Sequence, residues 1–272
     1  MIDLHCRLFD ARTAPDLDAN DLEDLLVPWL EQLSGKGPSH VVAHANTPSE
    51  CTLAIRAARA HPDRFSAIAA VEPGNPEEVA ATLRALDAGE LRGIALHPSV
   101  AGFDLGDAWV AELLAACQSF GTVVVVRTGL PPAVLRDAEG VRWNIRGLDP
   151  LGVVPLADRF PDLKFVLPSY GGGFMREALM VGALCDNVLL DTTPPAWLAL
   201  QASEVTLEDV LERTLAVYGA DRLLFATGST SASPGWRSDL ATVQREALGA
   251  LEVPANDCAQ ILDGNARVLL GR

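Results

Sequence analysis

Short, uniformly apolar runs rich in β-branched residues recur along the chain, and longer amphipathic stretches with helical spacing separate them. The runs Ile2–His5, Val41–Ala45, Phe65–Val71, Gly93–His97, Thr122–Arg127, Lys164–Leu167, Asn187–Asp191 and Arg222–Thr227 predict eight strands. Most have no polar face, the pattern of parallel strands covered on both sides. Helices are predicted over Asn20–Leu33, Thr47–Ala60, Asn75–Ala88, Asp107–Phe120, Leu151–Phe160, Met175–Leu184 and Leu207–Tyr218, with a closing pair at Pro234–Leu248 and Asn256–Leu269. The Thr47-Pro48-Ser49-Glu50 run is a helix start, with a capping hydroxyl followed by proline and an acid.

Strand–helix alternation implies a parallel sheet, and eight repeats in 272 residues imply an α/β fold of the single (β/α)8 TIM-barrel type, one domain over residues 1–272. The alternative, an open doubly wound sheet, calls for a glycine-rich phosphate turn after the first strand. Leu8-Phe9-Asp10 follows instead.

Composition narrows the partners. A net charge of −15 argues against nucleic acid and anionic membranes. No apolar run reaches the roughly 18 residues of a membrane-spanning helix. Five scattered cysteines without a C-x-x-C pair, and no secretory signal, point to a reduced cytoplasmic location. Of the 21 basic residues only Lys36 and Lys164 are lysines, which reads as coding bias.

In a barrel the chemistry gathers at the C-terminal ends of the strands. Those ends carry His5 and Arg7, His44, Glu72, His97, Arg127, Ser169 and Tyr170, Asp191, and Thr227 to Ser229. His5 and Arg7 are two apart and share a face, whereas Cys6 points toward the helices as a buried structural thiol. His40 and His61 precede strands and are assigned to the opposite, structural end. Arg136, Arg142, Trp143 and Arg146 read as a solvated loop. No G-x-S-x-G elbow supports a serine hydrolase.

A set of short motifs resembles the amidohydrolase-related family of the aminocarboxymuconate-semialdehyde decarboxylase type. They are Ile2-Asp3-Leu4-His5, His61-Pro62-Asp63-Arg64-Phe65, Arg92-Gly93-Ile94-Ala95-Leu96-His97-Pro98, the stretch from Phe160 to Leu167 followed by Gly171-Gly172, Asn187 to Thr192, Asp221 to Phe225, and Ile261 to Ala266. The resemblance implies a metal-dependent hydrolase barrel, often dimeric, whose divalent ion is held by an H-x-H on strand one, histidines ending strands five and six, and an aspartate ending strand eight. Here His5 is kept, but Arg7, Arg127, Ser169 and Gly228 stand at the other four positions. One ligand cannot hold zinc, and two arginines place fixed positive charge where the cation would sit. No metal and no cofactor are therefore expected.

Guanidinium groups grip carboxylates bidentately. The first functional reading is a metal-independent hydrolase, lyase or decarboxylase-type enzyme on a small anionic carboxylate substrate. Arg7, Arg127, Ser169, Asp191 and Thr227 bind in this reading, and His5, His97 and Tyr170 carry proton transfer and oxyanion stabilisation. The alternative is a catalytically inactive barrel kept as a binding or partner-organising module, with Arg7 and Arg127 paired to acids such as Glu72 or Asp191. Gly171-Gly172-Gly173 either cradles an anion or only reflects the resemblance.

Overall fold

The structure, a computed structural model, describes residues 1–9, 21–35, 37–72, 74–129, 144–194, 205–231 and 235–272. Its sheet comprises β1 (Ile2–Arg7), β2 (His40–Ala45), β3 (Phe65–Ala70), β4 (Gly93–Leu96), β5 (Val123–Val126), β6 (Lys164–Leu167), β7 (Val188–Asp191), β8 (Leu223–Leu224) and β9 (Ser229–Thr230). Each strand from β1 to β8 pairs in parallel with the next, and β9 returns to β1. Between β8 and β9 the Leu4 N–H donates to the Phe225 carbonyl at 3.0 Å and the Gly228 N–H to the His5 carbonyl at 2.9 Å. The ring thus closes, and the eighth barrel strand is two short pieces around Thr227 rather than the continuous Arg222–Thr227 run. Closure excludes the open doubly wound alternative.

The covering helices are α1 (Asp21–Ser34), α2 (Pro48–Ala60), α3 (Pro76–Asp87), the single turn α4 (Pro98–Ala101), α5 (Ala108–Gln118), α6 (Val154–Arg159), α7 (Met175–Leu184), α8 (Leu207–Tyr218) and α9 (Ser238–Ala250). A terminal pair, α10 (Ala255–Ala259) and α11 (Asn265–Leu270), is joined by a π turn. Their starts follow the sequence chemistry. Thr47 accepts from the Glu50 N–H, Asn75 accepts from the Glu78 N–H, and Thr206 with Asp209 forms a capping box. The helix expected over Leu151–Phe160 is a 3₁₀ turn at Pro150–Val153 continued by α6. No helix among the described residues is long and apolar enough to cross a membrane.

Two apolar layers hold the barrel. Ile2, Leu4, Val42, Ile68, Ala95, Val125, Val166, Leu189 and Leu224 fill the interior, and Ala266 and Leu270 of α11 close its N-terminal end. Their strand neighbours, such as Val41, Phe65, Ile94, Val124, Phe165 and Leu190, pack outward against the helices. β1 departs from strict alternation. Leu4 belongs to the inner layer and Cys6 to the outer, because the pairing with β2 shifts register between Asp3 and Cys6. This bulge places His5 and Arg7 on the inner face directly above Leu4.

Candidate functional site at the C-terminal mouth

Above the apolar interior, the next inward positions of β1, β2, β4, β5 and β7 are polar: His5, Arg7, His44, His97, Arg127 and Asp191. Five of these six are among the residues that the sequence singles out as site candidates, and the fold brings them to one mouth. His44 joins them.

Asp191 is nearly fully buried, and it organises the centre. Its Oδ1 accepts from the N–H groups of Thr193 at 2.7 Å and Ser169 at 3.2 Å, and its Oδ2 from His5 Nδ1 at 2.8 Å. Burial pushes this carboxyl up, but the His5 ring and the Thr193 donors hold it below its ordinary value. With Nδ1 protonated toward Asp191, His5 turns a lone pair outward on Nε2. That atom accepts from Arg127 Nη2 at 2.7 Å. The same Nη2 reaches His44 Nδ1 at 3.4 Å, while His44 Nε2 donates to the Leu4 carbonyl at 2.9 Å. The two imidazoles stack with centroids 4.3 Å apart. The arrangement is a relay of carboxylate, imidazole and guanidinium with a second imidazole beside it, both tautomers fixed by their outer partners.

Burial, then the neighbouring His5 and Arg127, push His44 well below its ordinary value. Burial, then Arg127, His5 and Arg7, do the same to His97. Both rings are neutral acceptors or donors at neutral pH. Burial lowers Arg127 to about 10, which leaves it charged at neutral pH.

Arg7 forms an ion pair that sequence reasoning missed. Its Nη2 donates to Glu50 Oε1 at 2.7 Å, and Glu50 Oε2 accepts from the Asn46 N–H at 2.8 Å. Glu50 is buried on the first turn of α2. An acid three residues after a capping threonine reads from sequence as a helix start, so nothing marked it as the partner of β1. Glu72 is exposed. Among the described residues the two cations of the mouth, Arg7 and Arg127, face two anions, Glu50 and Asp191.

The side chains of the remaining candidates make other contacts. Thr227 is buried and donates its hydroxyl to Asp3 Oδ2 at 2.6 Å. Asp3 also accepts from Trp236 Nε1 at 2.8 Å, so this group fastens β1 to the eighth strand. Tyr170 is completely buried in the outer layer, where burial raises its phenol far above its ordinary value. Ser169 donates its hydroxyl to the Thr193 carbonyl at 3.2 Å. Ser169, Tyr170 and the three glycines after them all have positive φ, a left-handed run in which Ser169 (52°) and Tyr170 (54°) are strained. Gly171 and Gly172 meet that need without strain, and a Cβ on Gly129 would lie 2.4 Å from Gly172 Cα. Arg136, Arg142 and Trp143 fall outside the described residues.

The family resemblance implies a divalent metal, and these side chains do not fit one. The outward atom of His5 is taken by a guanidinium, and no three His, Cys, Asp or Glu side chains converge as a metal site among the described residues. At Gly228, φ is +66° and an added Cβ would lie 2.8 Å from Thr193 Cγ2, so the backbone no longer suits an aspartate there.

A family model described as Amidohydrolase matches residues 2–272. No curated protein matches the sequence. Similar solved structures include the putative 2-pyrone-4,6-dicarboxylic acid hydrolase from Pseudomonas putida (20% identity, 99% of this chain and 97% of that one, TM-score 0.64). The 2,6-dihydroxybenzoate decarboxylase from Rhizobium aligns at 15% identity over 99% and 98% of the two chains, with a TM-score of 0.64. An amidohydrolase from Burkholderia multivorans with bound zinc aligns at 17% identity over 99% and 98%, with a TM-score of 0.69.

Proposed function

We propose, for a chain that belongs to the amidohydrolase family, a metal-independent hydrolase, lyase or decarboxylase-type activity on a small carboxylate. The observation that carries this reading is the 2.7 Å contact of Arg127 Nη2 with His5 Nε2, which sets a fixed cation on the histidine the family uses for its metal. The hydrolase and the decarboxylase among the similar structures are named for carboxylic acids, which supports the substrate class.

In this reading Arg127 neutralises the substrate carboxylate, with Arg7 beside it. A substrate carboxylate on the guanidinium weakens its contact with His5. His5 Nε2 is then released to take up or return a proton, and Asp191 stabilises the imidazolium that forms. His97 donates to a substrate oxygen. Proton transfer by His5 serves hydrolysis, elimination and carbanion protonation alike, so the substrate decides the reaction. The test is metal analysis of the purified protein beside a turnover screen of small carboxylates. Turnover with substoichiometric metal that survives chelation and disappears in His5→Ala is expected; stoichiometric zinc required for turnover overturns the reading.

A second reading, a binding module without catalysis, is favoured by one observation: His5 Nε2, Asp191 and Glu50 are all engaged within the protein. Carboxylate binding without turnover of any compound in the same screen would select it.

A further inference from the structure

The buried polar atoms without a hydrogen-bond partner among the described residues include two on neighbouring strand ends of the mouth, His97 Nε2 and Arg127 Nε. Their residues stand on neighbouring strands. β4 and β5 pair with Leu96 opposite Val126, and the Arg127 N–H donates to the Leu96 carbonyl at 2.9 Å, so His97 and Arg127 extend the same ladder side by side. Ala95 and Val125 belong to the inner layer, and the residues two further on face the same way. Paired strands run about 4.8 Å apart, a spacing that lets one small ligand touch both side chains.

The two groups lack the same thing. A guanidinium Nε–H is only a donor, and leaving it buried without an acceptor is costly. His97 is 6% exposed, and burial with its positive neighbours keeps the ring neutral; in the tautomer that carries its proton on Nε2, that atom is a donor as well. Arg127 Nη2 is already committed to His5 and His44, and Arg7 is held by Glu50 at 2.7 Å. A neutral carbonyl or hydroxyl offers acceptors but leaves the guanidinium charge unanswered. A carboxylate supplies two acceptor oxygens and the opposite charge together.

We propose that His97 and Arg127 form the carboxylate seat of this site, one ligand oxygen accepting from Arg127 Nε–H and the other from His97 Nε2–H. This rests on the carboxylate reading above and replaces its pair of arginines with an arginine–histidine pair. Arg7 then borders the seat as part of an ion pair.

The seat is tested by titrating protein labelled with ¹⁵N-histidine with benzoate, following the imidazole signals beside calorimetry. The chain has five histidines, and His97→Gln assigns the signal in question. The expected result is a His97 Nε2 resonance that shifts along the calorimetric isotherm. Arg127→Lys, which keeps a cation but has no Nε–H, weakens binding about tenfold or more. Benzoate binding that leaves the His97 signal unmoved, or that Arg127→Lys retains within about threefold, overturns the seat and leaves the broader function standing. No saturable binding of benzoate, acetate or succinate overturns the broader function and the seat with it.

Discussion

Glu50 shows how a single side chain can be central to a site and silent in the sequence. It is buried on α2 and holds both Arg7 and the backbone of Asn46. Breaking a buried ion pair from one side leaves the other charge uncompensated, so Glu50→Gln is expected to destabilise the fold by about 3 kcal/mol, read as a lower urea midpoint. His5, Arg7, His97, Arg127 and Asp191 were legible because each ends an apolar run, and the barrel sends strand ends to one face. The partner of Arg7 was not. An acid near a helix start serves the helix dipole in most chains, and only the fold brings this one beneath β1. Thr227, bonded to Asp3, and Tyr170, packed in the outer layer, stand away from the relay for a related reason. A hydroxyl near a strand end is common, and whether it faces the mouth or the neighbouring layer depends on local geometry that residue type does not encode.

At the scale of elements, the strands match the apolar runs closely because parallel strands buried on both faces leave a continuous signature. The same continuity hides which face of a strand looks inward. Leu4 and Cys6 are both apolar, so the β1 bulge that separates them into different layers leaves no trace in hydropathy. The break in the eighth strand is hidden likewise, although Gly228 marks it once the backbone is known. A side chain there is opposed by the positive φ and by Thr193. Gly228→Asp, the substitution that restores a family metal ligand, is expected to lower stability by about 1–3 kcal/mol from backbone strain alone, measured by thermal melting with and without added zinc. A melting temperature raised by zinc in that variant would show that the strand accepts the acid after all.

Across the whole molecule, the buried histidines carry a pH dependence of definite sign. At the closed N-terminal end of the barrel, His40 bonds Ser66 and the Asp63 carbonyl, and Arg272 lies beside it. Burial above all lowers its pKa from 6.5 to about 4. Between those values the unfolded chain binds the proton and the folded chain does not. His40 therefore leaves stability intact above pH 6.5 and withdraws about 3 kcal/mol as the pH falls toward 4. His44 and His97 are shifted the same way at the mouth and add to the decline. Urea midpoints at pH 7 and pH 5 check this, with a smaller drop expected for His40→Gln than for the wild type.

The 2.7 Å contact between Arg127 and His5 also bears on how this barrel lives among metals. A bound ion equilibrates with its surroundings. It can be starved away, stripped by a competitor, or replaced by a neighbour in the order of affinities that favours copper. A guanidinium at the end of β5 is attached by its own chain, so it arrives when the strand does and cannot be exchanged. Under the metal-independent function proposed above, such a site has no empty form waiting to be loaded, no wrongly loaded form to be repaired, and no dependence on the cell's supply of trace elements.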